Sequence, residues 1–79
     1  MKLTYDPRYN IAYIQLRKKE GTVNSIKVSE EVIIDMAADG VIYGIELLNA
    51  KQQLADRNSL HLQFINEATG ERGDLEVAA

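Results

Sequence analysis

Two β-branched runs on either side of an Asp-Gly pair constrain the fold more than any other feature of the chain. Val32-Ile33-Ile34-Asp35-Met36 has no helical periodicity, and Asp39-Gly40 is a strong hairpin signal. A two-residue hairpin turn needs positive φ at both central positions, which Asp tolerates and Gly adopts freely. The partner strand is Val41 to Leu48. Val41, Tyr43, Ile45 and Leu47 form one apolar face of it, while Ile42, Gly44, Glu46 and Leu48 form a second face that is only partly polar. A strand apolar on both sides is central, covered by a helix or by another subunit.

The flanking segments extend this β pattern. Lys2 to Tyr5 reads as a strand ended by Asp6-Pro7, since proline cannot donate to a ladder. Ile11 to Leu16 alternates as a second strand. Arg17-Lys18-Lys19-Glu20-Gly21 is a charged turn that leads into a returning strand over Thr22 to Val28. Val23 is out of phase with Ile26 and Val28, so the strand carries either a bulge near Asn24-Ser25 or a half-exposed Val23. Asn49 can cap a helix over residues 50–56. Leu60 to Ile65 alternates again, with Leu60, Leu62 and Phe64 on one side, and Asp74 to Val77 pairs back across a loop. The expected architecture is a small β-rich α+β domain over residues 1–79, an antiparallel sheet of hairpins with one short helix.

Composition narrows the chemistry. At 79 residues and 8.9 kDa the chain buries only about 60% of its unfolded surface. It has no cysteine, which excludes a disulfide framework, a thiolate zinc site and a cysteine nucleophile. The net charge of -3 argues against nucleic-acid or anionic-membrane binding. That charge is also localised. Residues 1–65 hold eight basic and eight acidic side chains, and Glu67, Glu71, Asp74 and Glu76 against Arg72 account for the whole excess. No apolar run approaches the roughly 20 residues of a membrane-spanning helix. Asp6-Pro7 stands where a signal peptide needs an apolar stretch, so the expected location is the cytoplasm.

Few residues carry chemical potential. His61 is the only histidine and reads as a solvent-facing strand residue. Ser25, Ser29 and Ser59 lack the glycine-flanked elbow of a serine hydrolase. Asp35, Asp39 and Glu46 lie around the central hairpin, with Asp6 at another strand end. Paired carboxylates can share a proton or bind a hard cation, which makes Asp35, Asp39 and Glu46 the metal candidates. The plainer reading is turn chemistry and a solvated strand edge. Tyr9, Tyr13 and the Arg17–Lys19 run could form a stacking platform for single strands, but a packing role for Tyr13 and Tyr43 explains them better. No catalytic constellation is recognisable, and no cofactor is expected.

Tyr5-Asp6-Pro7, Ala12-Tyr13-Ile14-Gln15-Leu16, Val32 to Met36, Asp39-Gly40 and Gly44-Ile45-Glu46-Leu47-Leu48-Asn49-Ala50 together resemble the DUF2283 family of small bacterial proteins. The resemblance covers residues 1–54, leaving residues 57–79 as an added hairpin or tail. It implies a compact β-rich α+β domain and brings no established enzymatic activity, cofactor or catalytic residue. It also raises an antitoxin-like role beside a small toxin. Members often carry Asp where this chain has Asn10, and another acid near Ala37. The expected function is a non-enzymatic interaction module that forms a homodimer or binds a small protein partner through Ile42, Gly44, Leu48, Tyr13 and Tyr43. The alternative is a carboxylate-based metal-binding protein or enzyme.

Overall fold

The computed structural model describes residues 1–56 and 59–78. Strands β1 (Lys2–Asp6), β2 (Ile11–Gln15), β3 (Val23–Ser29), β4 (Val32–Ala37) and β5 (Ile42–Leu48) build an antiparallel sheet in the order β1-β2-β5-β4-β3. Helix α1 (Ala50–Leu54) follows. A smaller sheet then forms from β6 (Ala55–Asp56), β7 (Ser59–Ile65) and β8 (Arg72–Ala78). This is the β-rich α+β architecture expected from the sequence. The doubly apolar strand β5 does sit centrally, between β2 and β4.

Several local expectations are corrected. β3 does not return beside β2. It pairs with β4 at the far edge of the sheet, so residues 16–22 cross over the sheet in a Greek-key connection. The pairing of β2 is taken by β5 instead, because Ala12 and Ile14 meet Leu47 and Ile45 across the strands. The Asp39-Gly40 turn is a three-residue loop and not a two-residue one. The Ala37 amide donates to the Val41 carbonyl and the Gly40 amide to the Ala37 carbonyl, and only Gly40 has positive φ, at 91°. Gly40 therefore supplies the left-handed residue that ends such a loop. Of the two readings of Val23, the half-exposed one holds, in regular register with Ala37, and the bulge expected near Asn24-Ser25 lies instead between Lys27 and Ser29. The helix is shorter than residues 50–56, because Ala55–Asp56 pair with Leu60 and Ser59. Of the expected break at Arg57-Asn58-Ser59, the first two residues lie outside the described ones.

Asn49 does not cap the helix with its own side chain. Asn10, held at a φ of 56° in the β1–β2 turn, does so from across the fold. Its carbonyl accepts from the Ala50 amide at 2.9 Å and its Oδ1 from the Lys51 amide at 2.8 Å. Its Nδ2 donates to Asn49 Oδ1 and Gln52 Oε1. The first helical amides are thus satisfied by a residue forty positions away in sequence, which ties α1 to one face of the sheet.

On that face, Ala12, Leu47 and Ala50 form the buried core, with Leu3, Tyr5, Ile14, Val32, Ile45 and Leu54 packed around it. A helix of five residues covers little more than the row Tyr5, Ala12, Leu47 and Val32. Beside that row runs a second one, Leu3-Ile14-Ile45-Ile34-Ile26, in register across all five strands. Its cover fades towards β3, where Ile26 is 46% exposed.

Replacing Gly40 with Val would force a β-branched residue to φ 91° with nothing nearby to hold it. We expect Gly40→Val to cost about 1–2 kcal/mol and Gly40→Asn to cost less. Urea unfolding measures both, and an unchanged midpoint for the Val variant contradicts the turn.

Candidate functional site

The crossover of residues 16–22 gives the second face of the sheet its only built cluster of polar groups among the described residues. Alternation along the strands places Tyr13 of β2, Gly44 of β5, Asp35 of β4 and Ser25 of β3 on this face, in neighbouring register positions. Asp35 is buried, and an unpaired carboxylate there would be costly. It is fully partnered. Ser25 Oγ donates to Oδ1 at 2.7 Å, Tyr13 Oη donates to Oδ2 at 2.9 Å, and Lys19 Nζ lies 3.0 Å from Oδ2. Lys19 also stands 4.9 Å from the centre of the Tyr13 ring. Hydrogen bonds from Ser25, Lys19 and Tyr13 hold the Asp35 carboxyl below its usual range against the opposing effect of burial. Burial, helped by Asp35, pushes the Tyr13 phenol up, and the bond to Asp35 pushes the Lys19 ammonium up.

These shifts decide what the cluster can do. Asp35 stays ionised, while Lys19 and Tyr13 keep their protons, so no group is poised to exchange a proton near neutrality. Ser25 spends its proton on a weakly basic carboxylate. The arrangement pins the crossing segment to three strands. Tyr43 strengthens the pin, since its hydroxyl donates to the Glu20 carbonyl and its own carbonyl accepts from the amides of Leu16 and Arg17. Gly44 makes room for Tyr13: a Cβ at this position would lie 2.7 Å from Tyr13 Cε1. Beside the crossover is an open hollow of about 410 Å³ bordered by Arg17, Lys18, Glu20, Asp39 and Tyr43. Its two cations and two anions give it no dominant charge.

A family model described as a protein of unknown function, DUF2283, matches residues 2–51. The chain belongs to the DUF2283 family. No curated protein and no solved structure shows significant similarity to it. The span shared with DUF2283 takes in the five-stranded sheet, the crossover and the start of α1, and ends before the β7–β8 hairpin.

The candidates drawn from the sequence are dispersed. Asp35 and Glu46 do share a face, but Asp39 lies in the turn, where its Oδ1 accepts from the Val41 amide at 3.1 Å. Asp6 is bound by its neighbour Arg8, whose guanidinium holds the Asp6 carboxyl below the usual range. Among the described residues no three His, Asp or Glu side chains gather as metal ligands. The strand-edge reading fails for Asp35, which is buried at the centre of a network. Tyr9 is 71% exposed in the β1–β2 turn, at the opposite end of β2 from Arg17 and Lys18, so the platform residues are not joined. His61 is half-exposed beside Asp74, at 3.6 Å. Tyr43 and Gly44 are buried, Tyr13, Ile42 and Leu48 are half-buried, and none of the five is among the exposed large apolar side chains.

Lys19 and Ser25 were missed as partners of Asp35, and Asn10 as the helix cap. One signal was present: an acidic residue inside a β-branched run must find donors if the strand is buried.

Two predictions test the cluster. Asp35 has a lowered pKa, so its contribution to stability is complete above about pH 4 and is lost as the pH falls further. We expect Asp35→Asn to cost about 1–3 kcal/mol at neutral pH, with the gap to the unaltered protein closing in acid. A gap that persists unchanged at low pH contradicts the ionised network. Gly44→Ala should cost about 1–3 kcal/mol by overpacking and become nearly neutral in a Tyr13→Ala background. A double-mutant cycle reads this coupling, and additive effects would remove the proposed contact.

Proposed function

We propose that this protein is a non-enzymatic interaction module that self-associates. One observation supports the reading: the chain exposes far more surface than its mass requires. A compact monomer of 8.9 kDa has an accessible surface of roughly 4,800 Å² by the usual scaling, whereas this chain exposes 5902 Å². Its radius of gyration is 14.0 Å, against about 11.6 Å for a compact domain of this length. The molecule is a slab of 36 × 35 × 19 Å, and among the described residues no large side chain is fully buried. Stable domains pack two layers around one core, and here the second layer is a five-residue helix. The excess of about 1,100 Å² compares with the roughly 800 Å² that each partner gives to a standard interface.

The surface supporting this reading is the β7–β8 hairpin and the margin of the sheet at β3. Leu62, Phe64, Ile65, Leu75 and Val77 are 42–65% exposed in the hairpin, and Ile26 and Val28 are 46% and 59% exposed in β3. Two copies are the simplest solution, because an isologous pair needs no further molecule. The polar cluster around Asp35 serves in this account to hold the sheet that presents these surfaces.

Sedimentation equilibrium is the direct test. The expected species at micromolar concentration has twice the 8.9 kDa chain mass. A single species of chain mass up to millimolar concentration contradicts self-association.

A further inference from the structure

We propose that each copy docks the apolar face of its β7–β8 hairpin on the isoleucine row of a second copy, and receives the partner's hairpin in return. This deepens the self-association reading and rests on it. Register sorts the hairpin into two unlike faces. Leu60 faces Val77, Leu62 faces Leu75 and Phe64 faces Gly73 on one side, while His61-Glu76, Gln63-Asp74 and Ile65-Arg72 pair on the other. Leu60 is buried at the root, but Leu62, Phe64, Leu75 and Val77 remain 42%, 65%, 57% and 49% exposed. A two-stranded ribbon is marginal alone, and an antiparallel sheet with one apolar face packs that face.

The receiving surface is also in the chain. Ile14, Ile45, Ile34 and Ile26 run in register across β2, β5, β4 and β3. Ile14 and Ile45 pack against the core, Ile34 is half-buried, and the row opens to solvent at Ile26, which is 46% exposed. Both surfaces are sheet faces, and sheets stack face to face with interdigitating side chains. Charge selects this arrangement over hairpin on hairpin. The segment from Asn66 carries the whole net charge of -3. Asp74 and Glu76 lie on the hairpin's other face, but two stacked hairpins would still hold two segments of that charge close together. Residues 1–65 are neutral, and a hairpin resting on that part avoids the repulsion. Reciprocal docking uses both patches of each copy, and the chain's surplus of about 1,100 Å² over a compact monomer leaves room for the roughly 800 Å² of a standard half-interface.

The absence of cysteine makes the test clean. Phe64→Cys and Ile26→Cys chains are mixed and treated with a short bismaleimide. The expected product joins one chain of each kind. Products joining only Phe64→Cys chains to each other, or only Ile26→Cys chains, overturn the docking while leaving self-association standing. So does a link closed within a monomer of the double variant, or no link in a sample that sediments as a dimer. In parallel, Phe64→Asp and Ile26→Lys change exposed residues, with folding followed by circular dichroism. Each should raise the dimer dissociation constant about tenfold or more, and folded dimers unaffected by both variants overturn the docking. An unaltered chain that is monomeric at every concentration overturns both readings.

Discussion

The buried carboxylate of Asp35 is the interaction on which the rest of the sheet depends. Removing a charge from water is tolerable only with near-complete compensation, and the donors come from three separate places. Ser25 brings β3, Tyr13 brings β2, and Lys19 brings the crossing segment. Meeting around one side chain, these groups tie β2, β3 and the crossing segment to β4 in a sheet where β3 lies at the edge and β5 enters between β2 and β4. Gly44 is part of the same solution, because only a residue without Cβ lets the Tyr13 ring lie over β5 and reach β4.

The two faces of the sheet meet their needs in different ways. The face carrying Asp35 is closed by chain crossing it and by polar bonds to the strands. The opposite face relies on apolar cover and receives only α1, which Asn10 holds in place through its amides. Five helical residues cannot cover five strands, so the isoleucine row thins out into solvent towards β3. The hairpin that follows the helix carries a matching apolar strip and leaves it exposed. Both incomplete surfaces have one physical origin: the chain makes one and a half layers where a stable core needs two.

The central part of this fold was legible because it is written in local chemistry. The β-branched run before Asp39-Gly40 and the doubly apolar run after it describe a hairpin with a central strand, and β4–β5 is that hairpin. Membership of the DUF2283 family was readable from the same segments. The partner of β2 was not readable, since Leu16 to Thr22 could close a hairpin or cross the sheet, and the choice is made by cross-strand contacts between residues some thirty positions apart. The turn at Gly40 failed for a smaller reason, as Asp-Gly suits both loop lengths. Lys19 read as one charge in a solvated run, because nothing in Arg17-Lys18-Lys19 marks which side chain turns inward. Asn10 was equally silent, since its use as a cap depends on where α1 lands. The exposed apolar strip of the hairpin was visible as the alternation of Leu60, Leu62 and Phe64, but its exposure is a tertiary property.

The central claim is that the missing second layer comes from another copy, and amide hydrogen exchange as a function of protein concentration tests it most directly. In an isolated ribbon the amides of β7 and β8 open readily, whereas those of β4 and β5 report the opening of the sheet. Protection of Ser59–Ile65 and Arg72–Ala78 is expected to rise steeply with concentration while a monomer–dimer equilibrium is being crossed. Hairpin protection that stays the same from the lowest to the highest concentration, in a chain that remains monomeric, would contradict it.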